Sequence, residues 1–231
     1  MVIYCVGAPF SGKSKSKFAR YFSMKLLGTG EMLRTIAKLT GPTQLDVDEL
    51  TNAIVLTLAI LRHDKPDLSM VSEDEIRKIS EIQKIDSRIQ RDSIALALQI
   101  KERMSKLELL PDQWVVDLFN AKLDLQREGV IVDGIPRNAI QAASVKHPDR
   151  IIFYTLEREK LYSRANQRAA QEPDRPDNDP SKYTMRLEEW FQVEEPILDY
   201  YRQMQIPIIV INSNGSYCWG VVKTIWALMA I

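Results

Sequence analysis

The 231 residues carry 31 basic and 31 acidic side chains, 45% hydrophobic residues and a formal net charge of zero, the profile of a globular protein with one large domain or a core bearing smaller inserts. The charge balance excludes the basic bias of a non-specific nucleic-acid binder, and the longest nearly apolar run, Ala53 to Leu61, is far short of the roughly 20 residues that cross a bilayer. Two cysteines (Cys5, Cys218) and two histidines (His63, His147) lie far apart, which excludes a disulfide framework and argues against structural zinc.

The N-terminus has no basic region followed by a long apolar stretch, as a signal peptide would, so a reducing cytoplasm is the expected setting, with neither nucleic acid nor membrane as a partner. Strands are expected at Val2–Val6, Met24–Leu27, Val130–Val132, Ile151–Tyr154 and Ile208–Ile211, each short, apolar, rich in β-branched residues and read as buried on both faces. Helical patterns run from Lys13 to about Tyr21, Asp112 to about Gln126, Glu157 to Gln171, Tyr183 to Met204, and from Ser216 onward. Strand-helix alternation of this kind makes an α/β fold, a parallel sheet with helices on both faces.

Residues 34–105 break the alternation with helix signals alone. Val47, Leu50, Ile54, Leu58 and Leu61 follow i, i+3/i+4 spacing and predict one amphipathic helix. Ser72 and Glu75 form a capping-box pattern, and Ile76, Ile79, Ile82, Ile85 and Ile89 continue a stripe beyond it. This block is read as a helical subdomain inserted into the α/β core.

Gly7-Ala8-Pro9-Phe10-Ser11-Gly12-Lys13-Ser14 fits G-x-x-x-x-G-K-[ST] between a strand and a helix, the context a phosphate-binding loop requires. Glycines allow close backbone approach, and successive N–H groups with a helix N-terminus cradle phosphate oxygens. Lys13 would reach the β/γ-phosphates and Ser14 would ligate Mg²⁺, directly or through water. The bland alternative is a Gly-rich turn with an incidental lysine. Val130-Ile131-Val132-Asp133-Gly134-Ile135-Pro136-Arg137 places a carboxylate at a strand end, suited to a Mg²⁺ hydration shell beside that loop. Arg137 adds a planar fork for phosphate. Alone, Asp-Gly is a turn; the neighbouring loop reverses that preference. Arg164, Arg168, Arg175 and Arg186 follow, with Arg164 and Arg168 on one helix face and Arg175 in the polar, Pro-punctuated segment Glu172–Pro180. Each alone reads as a solvated surface charge. Bringing ATP against a second phosphate nevertheless gathers negative charge that several guanidinium groups would neutralise and align.

Together these stretches resemble the adenylate kinase family of nucleoside monophosphate kinases. Gly7–Ser14, Gly28–Arg34, Leu109–Asp112, Asp133–Gln141, the arginine series and Arg175–Asn178 follow the family's order and nearly its spacing. The resemblance covers residues 1–40 and 92–231. It implies a P-loop NTPase-type five-stranded parallel sheet with a core of 1–27 and 112–231. It also implies a monophosphate-binding subdomain at 28–111, with the extra insert at about 41–91, and a short lid at 169–179 without a metal staple.

The implied partners are ATP with Mg²⁺ and AMP, giving two ADP, with no covalent intermediate and no general base. Gly7, Pro9, Ser11, Gly12, Lys13, Ser14, Lys15 and Arg164 correspond to the ATP site, and Ser14 and Asp133 to the Mg²⁺ site. Thr29, Arg34, Leu110, Gly134, Arg137 and Gln141 correspond to the AMP site, where Arg34 and Arg137 grip the α-phosphate and the Leu110 carbonyl and Gln141 read the base. Lys13, Arg137, Arg168, Arg175 and Arg186 would carry catalysis, and Asp177 would help close the lid. Thr29 and Gln141 favour AMP; UMP, CMP or another monophosphate is the alternative acceptor, and a weakly active nucleotide-binding regulatory protein is the alternative class. Thr29 as a helix N-cap and Gln141 as an exposed helix residue stay open. The chain is expected to act as a monomer, with a dimer through the isoleucine stripe or a regulatory surface as other uses of the insert.

Three positions depart from the family pattern. Phe10 stands where the family has glycine, and a bulky residue there would be an outlier if the loop needs φ > 0. Lys15 replaces a threonine that touches phosphate. Gly28 replaces a small hydroxyl residue.

Overall fold

The computed structural model describes residues 1–12, 19–68, 71–84, 88–106, 108–171, 179–214 and 217–229, with 88–90, 217–221 and 227 described by backbone alone. The predicted sites Lys13, Ser14, Lys15, Arg175 and Asp177 lie outside these residues. The chain forms two compact units, one of residues 1–28 and 126–231, the other of residues 29–125.

In the first unit the sheet contains β1 (Val2–Gly7), β2 (Lys25–Gly28), β3 (Val130–Asp133), β4 (Arg150–Thr155) and β5 (Ile208–Asn212). All pairings are parallel, in the order β2-β3-β1-β4-β5. The helices of this unit include α6 (Ala139–Ser144), α7 (Arg158–Gln171), α8 (Pro180–Gln203) and α9 (Tyr217–Met229). Alternation sorts the strand side chains. Ile3, Cys5, Ile131, Ile152, Tyr154 and Ile211 form one buried cluster, with Phe22, Met24, Ile225 and Leu228 packed against it. The Tyr154 hydroxyl meets Oγ1 of Thr224 on α9 at 3.2 Å. On the opposite face Tyr4 is fully buried and donates to the Lys146 carbonyl beyond α6 at 2.5 Å. Burial pushes the Tyr4 and Tyr201 hydroxyls well up, and Tyr4 adds to the shift of Tyr201. Both therefore stay neutral as helix α8 covers that face.

The expectation that all five strands are buried on both faces holds for the middle of the sheet and fails at its edges. Lys25 of β2 is exposed and Val210 of β5 is 60% exposed. In β5 only the Ile209/Ile211 face meets the cluster that α9 covers, so Val210, pointing the other way, has less covering it.

Among the described residues, the second unit has helices as its regular elements. It contains α1 (Thr29–Ala37), a 3₁₀ turn (Lys38–Thr40), α2 (Val47–Leu61), α3 (Glu73–Gln83), α4 (Arg88–Lys106) and α5 (Asp112–Asp124). Asp46 caps α2, its carboxylate accepting from Glu49 N–H at 2.8 Å. The buried residues of α2 are Ala53, Leu56, Thr57, Ala59 and Ile60, whereas Val47, at the head of the predicted stripe, is 79% exposed. The reason is multiple packing: α2 contacts α1, α4 and α5 at once, so burial spreads onto the face beside the stripe. Leu50 and Ile54 lie half-buried against Ile76, Ile79, Ile94 and Ala95.

The capping box at Ser72 does not form. Ser72 occupies the N-cap but its side chain makes no cap hydrogen bond. Instead Glu73, Asp74 and Glu75 place negative charge in the first turn, and Glu73 pairs with Arg91 of α4. The isoleucine stripe is also shorter than its spacing suggests. Helix α3 ends at Gln83, Lys84 turns left-handed at φ 54, and Ile82 is 37% exposed; the side chains of Ile85 and Ile89 lie outside the described residues. Ile76 and Ile79 face inward, onto α4. Gln83, almost fully buried, accepts from Leu45 N–H at 2.9 Å and donates to the Thr43 carbonyl at 3.0 Å, fixing the segment before α2. On α5, Asp117 is buried and accepts from Gln113 at 2.8 Å, and His63 Nδ1 lies 3.1 Å from the same oxygen.

No helix among the described residues is long and apolar enough to cross a membrane. Leu56→Ala is expected to destabilise by about 2–5 kcal/mol, lowering the urea midpoint, because it empties a buried site. Val47→Ala, on the predicted stripe but in solvent, should change stability by no more than about 0.5 kcal/mol. A loss at Val47→Ala as large as that at Leu56→Ala would show that residue 47 is buried too, against the observed packing of α2.

Candidate active site

The last residue of β1 sets the site's position. A Cβ on Gly7 would stand 2.6 Å from the Tyr154 carbonyl oxygen, and Gly7 adopts φ 150; only glycine brings the two strands this close. The chain then turns through Ala8, Pro9 and Phe10, with Ser11 N–H donating to the Ala8 carbonyl at 3.2 Å. Ser11 is fully buried, and its Oγ has no hydrogen-bond partner among the described residues. Gly12 has φ 81. Phe10 has φ 65. A bulky side chain in that region is an outlier that costs about 1–3 kcal/mol unless surrounding contacts hold it. The ring meets Tyr183 edge-on, centroids 6.0 Å apart at 81°, and the Arg168 guanidinium carbon lies 4.8 Å from its centroid.

Two strands away from β4, Asp133 ends β3, its backbone in register with Cys5 of β1 and Gly28 of β2. The sheet therefore presents Gly7 and Asp133 at the same C-terminal edge, where α/β proteins bind ligands. Gly134 follows at φ 91, and Ile135–Pro136 is a cis peptide. Arg137 is exposed, its Nε donating to the Gly134 carbonyl at 3.1 Å. Asn138 caps α6 by accepting from Gln141 N–H at 2.8 Å, and Gln141 Oε1 accepts from Arg137 N–H at 2.8 Å. Gln141 is 2% exposed. It is no surface helix residue.

The arginines come from α7 and α8. Arg164 donates through Nη2 to the Ser213 carbonyl at 2.9 Å and through Nη1 to the Phe10 carbonyl at a long 3.5 Å. A Cβ on Gly12 would lie 2.7 Å from the same Nη1, so this cation rests directly on the glycine loop. Half-burial draws the Arg164 pKa below its ordinary value. Arg168 sits one turn further along α7, over Phe10, and Arg186 lies half-buried on α8 one turn beyond Tyr183. In the second unit, Thr29 opens α1 and is buried, and Leu110 is half-buried just before α5. Arg34 is exposed and folds back over Gly30, where a Cβ would stand 3.1 Å from its Nη1.

No protein-family model matches the chain. The adenylate kinase of Prochlorococcus marinus (strain MIT 9515) is 31% identical to it over 128 residues, covering 52% of this chain and 67% of that protein. This chain belongs to the adenylate kinase family. The adenylate kinase of Cyanothece sp. (strain PCC 7425 / ATCC 29141) is 31% identical over 126 residues, 50% of this chain and 64% of its own. That of Bifidobacterium longum (strain NCC 2705) is 28% identical over 135 residues, 54% and 72%. The matches thus span about half of this chain and about two thirds of these relatives.

For a member of the adenylate kinase family, two contributors to this edge went unread in the sequence. Ser213 acts through its carbonyl oxygen, which no residue type advertises, and Tyr183 reads simply as a helix residue. Beside the loop lies a cavity of about 250 Å³ lined by residues that include Ala8, Tyr154, Arg158, Phe191 and Glu194, with the Arg158 guanidinium carbon 3.8 Å from the Phe191 ring centroid. The donor set fits Mg²⁺ carried on a nucleotide. No group of three or more His, Cys, Asp or Glu side chains converges among the described residues, and Mg²⁺ brought by phosphates needs only one or two carboxylates, with water completing its shell. Asp133, ending β3 at the loop's edge of the sheet, would supply one.

Gly7→Ala should cost about 1–3 kcal/mol and lower Tm by several degrees, because its new Cβ meets a backbone carbonyl that cannot swing aside. An unchanged melting curve would show that β1 and β4 do not close as described.

Proposed function

We propose that this protein transfers the γ-phosphoryl group of ATP to AMP, giving two ADP. The observation that carries the reading is the Arg164 guanidinium lying against Gly12 while Arg168, one turn on, lies against Phe10 of the same loop. Cations beside a glycine loop at the C-terminal edge of a parallel sheet are the groups that a triphosphate calls for. The family membership supports the same reaction.

In this reading backbone N–H groups of the glycine loop and the Lys13 ammonium bind the ATP phosphates, with Pro9, which has no N–H of its own, Ser11, Ser14 and Lys15 shaping the loop. Arg164 spans loop and ligand. Mg²⁺, held through water by Asp133 and Ser14, would neutralise charge on the β- and γ-phosphates. An α-phosphate oxygen of AMP attacks the γ-phosphorus as the bond to the β,γ-bridging oxygen breaks, and the electron pair leaves on ADP. The attacking oxygen is already anionic, so no general base is required. Arg137, Arg168, Arg175 and Arg186 offset the charge spread over the transferring oxygens, and Arg34 and Arg137 align the acceptor.

The acceptor base follows from Gln141. Its Oε1 accepts from Arg137 N–H, which sets the amide orientation, and in this reading the amide NH₂ reads the base. A donor suits the adenine N1 acceptor and opposes the N–H that uracil or guanine presents there. The Leu110 carbonyl would take the exocyclic amino group, and Thr29 and Gly134 would line the same base. A second reading, nucleotide binding without turnover, draws on Phe10, whose ring occupies a loop position where glycine would leave space.

In a coupled assay against AMP, CMP, GMP and UMP, AMP should be the preferred acceptor. Gln141→Leu should raise the KM for AMP roughly tenfold to a hundredfold, the loss of one buried hydrogen bond worth about 1–3 kcal/mol. Lys13→Ala should lower kcat at least about a hundredfold. No diphosphate from any acceptor, with ATP still bound by calorimetry, would replace this reading by the second.

A further inference from the structure

Phe10 is the residue of the loop whose local conformation and side chain disagree. Its φ of 65 is one that glycine adopts freely and a β-substituted residue resists, so something beyond the backbone keeps the ring where it is. Three contacts do. Tyr183 forms a wall behind the ring at 6.0 Å and 81°, and it is itself buried and tied through its hydroxyl to Asn166 of α7. Arg168 caps the ring at 4.8 Å. Arg164, four residues earlier on α7, reaches the Phe10 carbonyl. One loop residue thus engages two arginines of the helix, Arg164 by its backbone and Arg168 by its π-face. A guanidinium over an aromatic face is attracted by the ring quadrupole and gives up little mobility elsewhere.

We propose that Phe10 is a positioning residue: its ring holds the Arg168 guanidinium against the phosphate-binding loop before nucleotide arrives, so the cation is already aligned when phosphoryl transfer begins. The proposal rests on the transfer reaction argued above and adds to it a residue whose effect passes through Arg168. Because Arg168 is assigned to the transferring group, the ring should act on kcat and leave ATP binding nearly untouched.

The test uses the full chain and three variants. Phe10→Leu keeps the bulk and removes the π-face; Phe10→Gly removes the ring and relaxes the backbone, so it folds even where leucine strains the loop; Phe10→Tyr keeps the ring. Leucine and glycine should lower kcat about three- to thirtyfold with the KM for ATP within about threefold, the range a cation–π contact commands, and tyrosine should restore kcat. In an Arg168→Ala background, Phe10→Leu should change kcat by less than about twofold. Without nucleotide, the Arg168 Nε–Hε resonance should show an upfield ring-current shift in wild type and Phe10→Tyr that Phe10→Leu loses. An active wild type matched or exceeded in kcat by both the leucine and glycine variants overturns the positioning role, an excess identifying the ring as an inhibitory latch. A wild type that phosphorylates no monophosphate overturns the transfer reaction and the positioning role together, while a ring-shifted Arg168 resonance would still establish the contact.

Discussion

The tightest point of the core unit is the end of β1. With the Tyr154 carbonyl where a Gly7 side chain would be, the strand can finish only as bare backbone, and the chain must turn away at once. Everything at this edge of the sheet follows from that restriction. The turn leaves room over the loop for Arg164, whose guanidinium takes the space a side chain on Gly12 would fill. The parallel register then brings Asp133 to the same edge from β3. The edge thus gathers two glycines that leave no room for a side chain, two arginines of α7 and one carboxylate.

Phe10 shows how tertiary contacts override a local preference. In isolation its backbone angle is unfavourable for any residue with a Cβ. Here the ring is clamped between a buried tyrosine and an arginine from two different helices, and those contacts offset the local strain. Strained residues held by their surroundings cluster where function needs a fixed geometry, and this one lies in the glycine loop at the C-terminal edge of the sheet.

The second unit illustrates the opposite tendency, in which local patterns yield to packing. Ser72 and Glu75 have the spacing of a reciprocal cap, yet Glu73 is drawn to Arg91 and the Ser72 side chain makes no cap bond. The isoleucine repeat has helical period across a point where the backbone turns left-handed at Lys84. Periodicity reports which residues prefer to be buried together; it is silent on where a helix stops and a second one folds back to cover it. Gln83 could not be singled out either, because an amide that ties a loop to a helix end looks the same in a sequence as one in solvent.

The order of apolar strands and helical patterns was enough by itself to determine a parallel α/β sheet, a glycine-lysine loop after its first strand and a helical block between its second and third. These features are encoded by neighbours a few residues apart, through backbone freedom, strand hydrophobicity and helical period. The tertiary structure alone decided the edge character of β2 and β5, the buried face of α2, and the meeting of Arg164 with Ser213 and of Arg168 with Phe10. Those depend on groups tens to more than a hundred residues apart in the chain, whose encounter is set by how helices and strands pack and by which polar atoms burial obliges to find a partner.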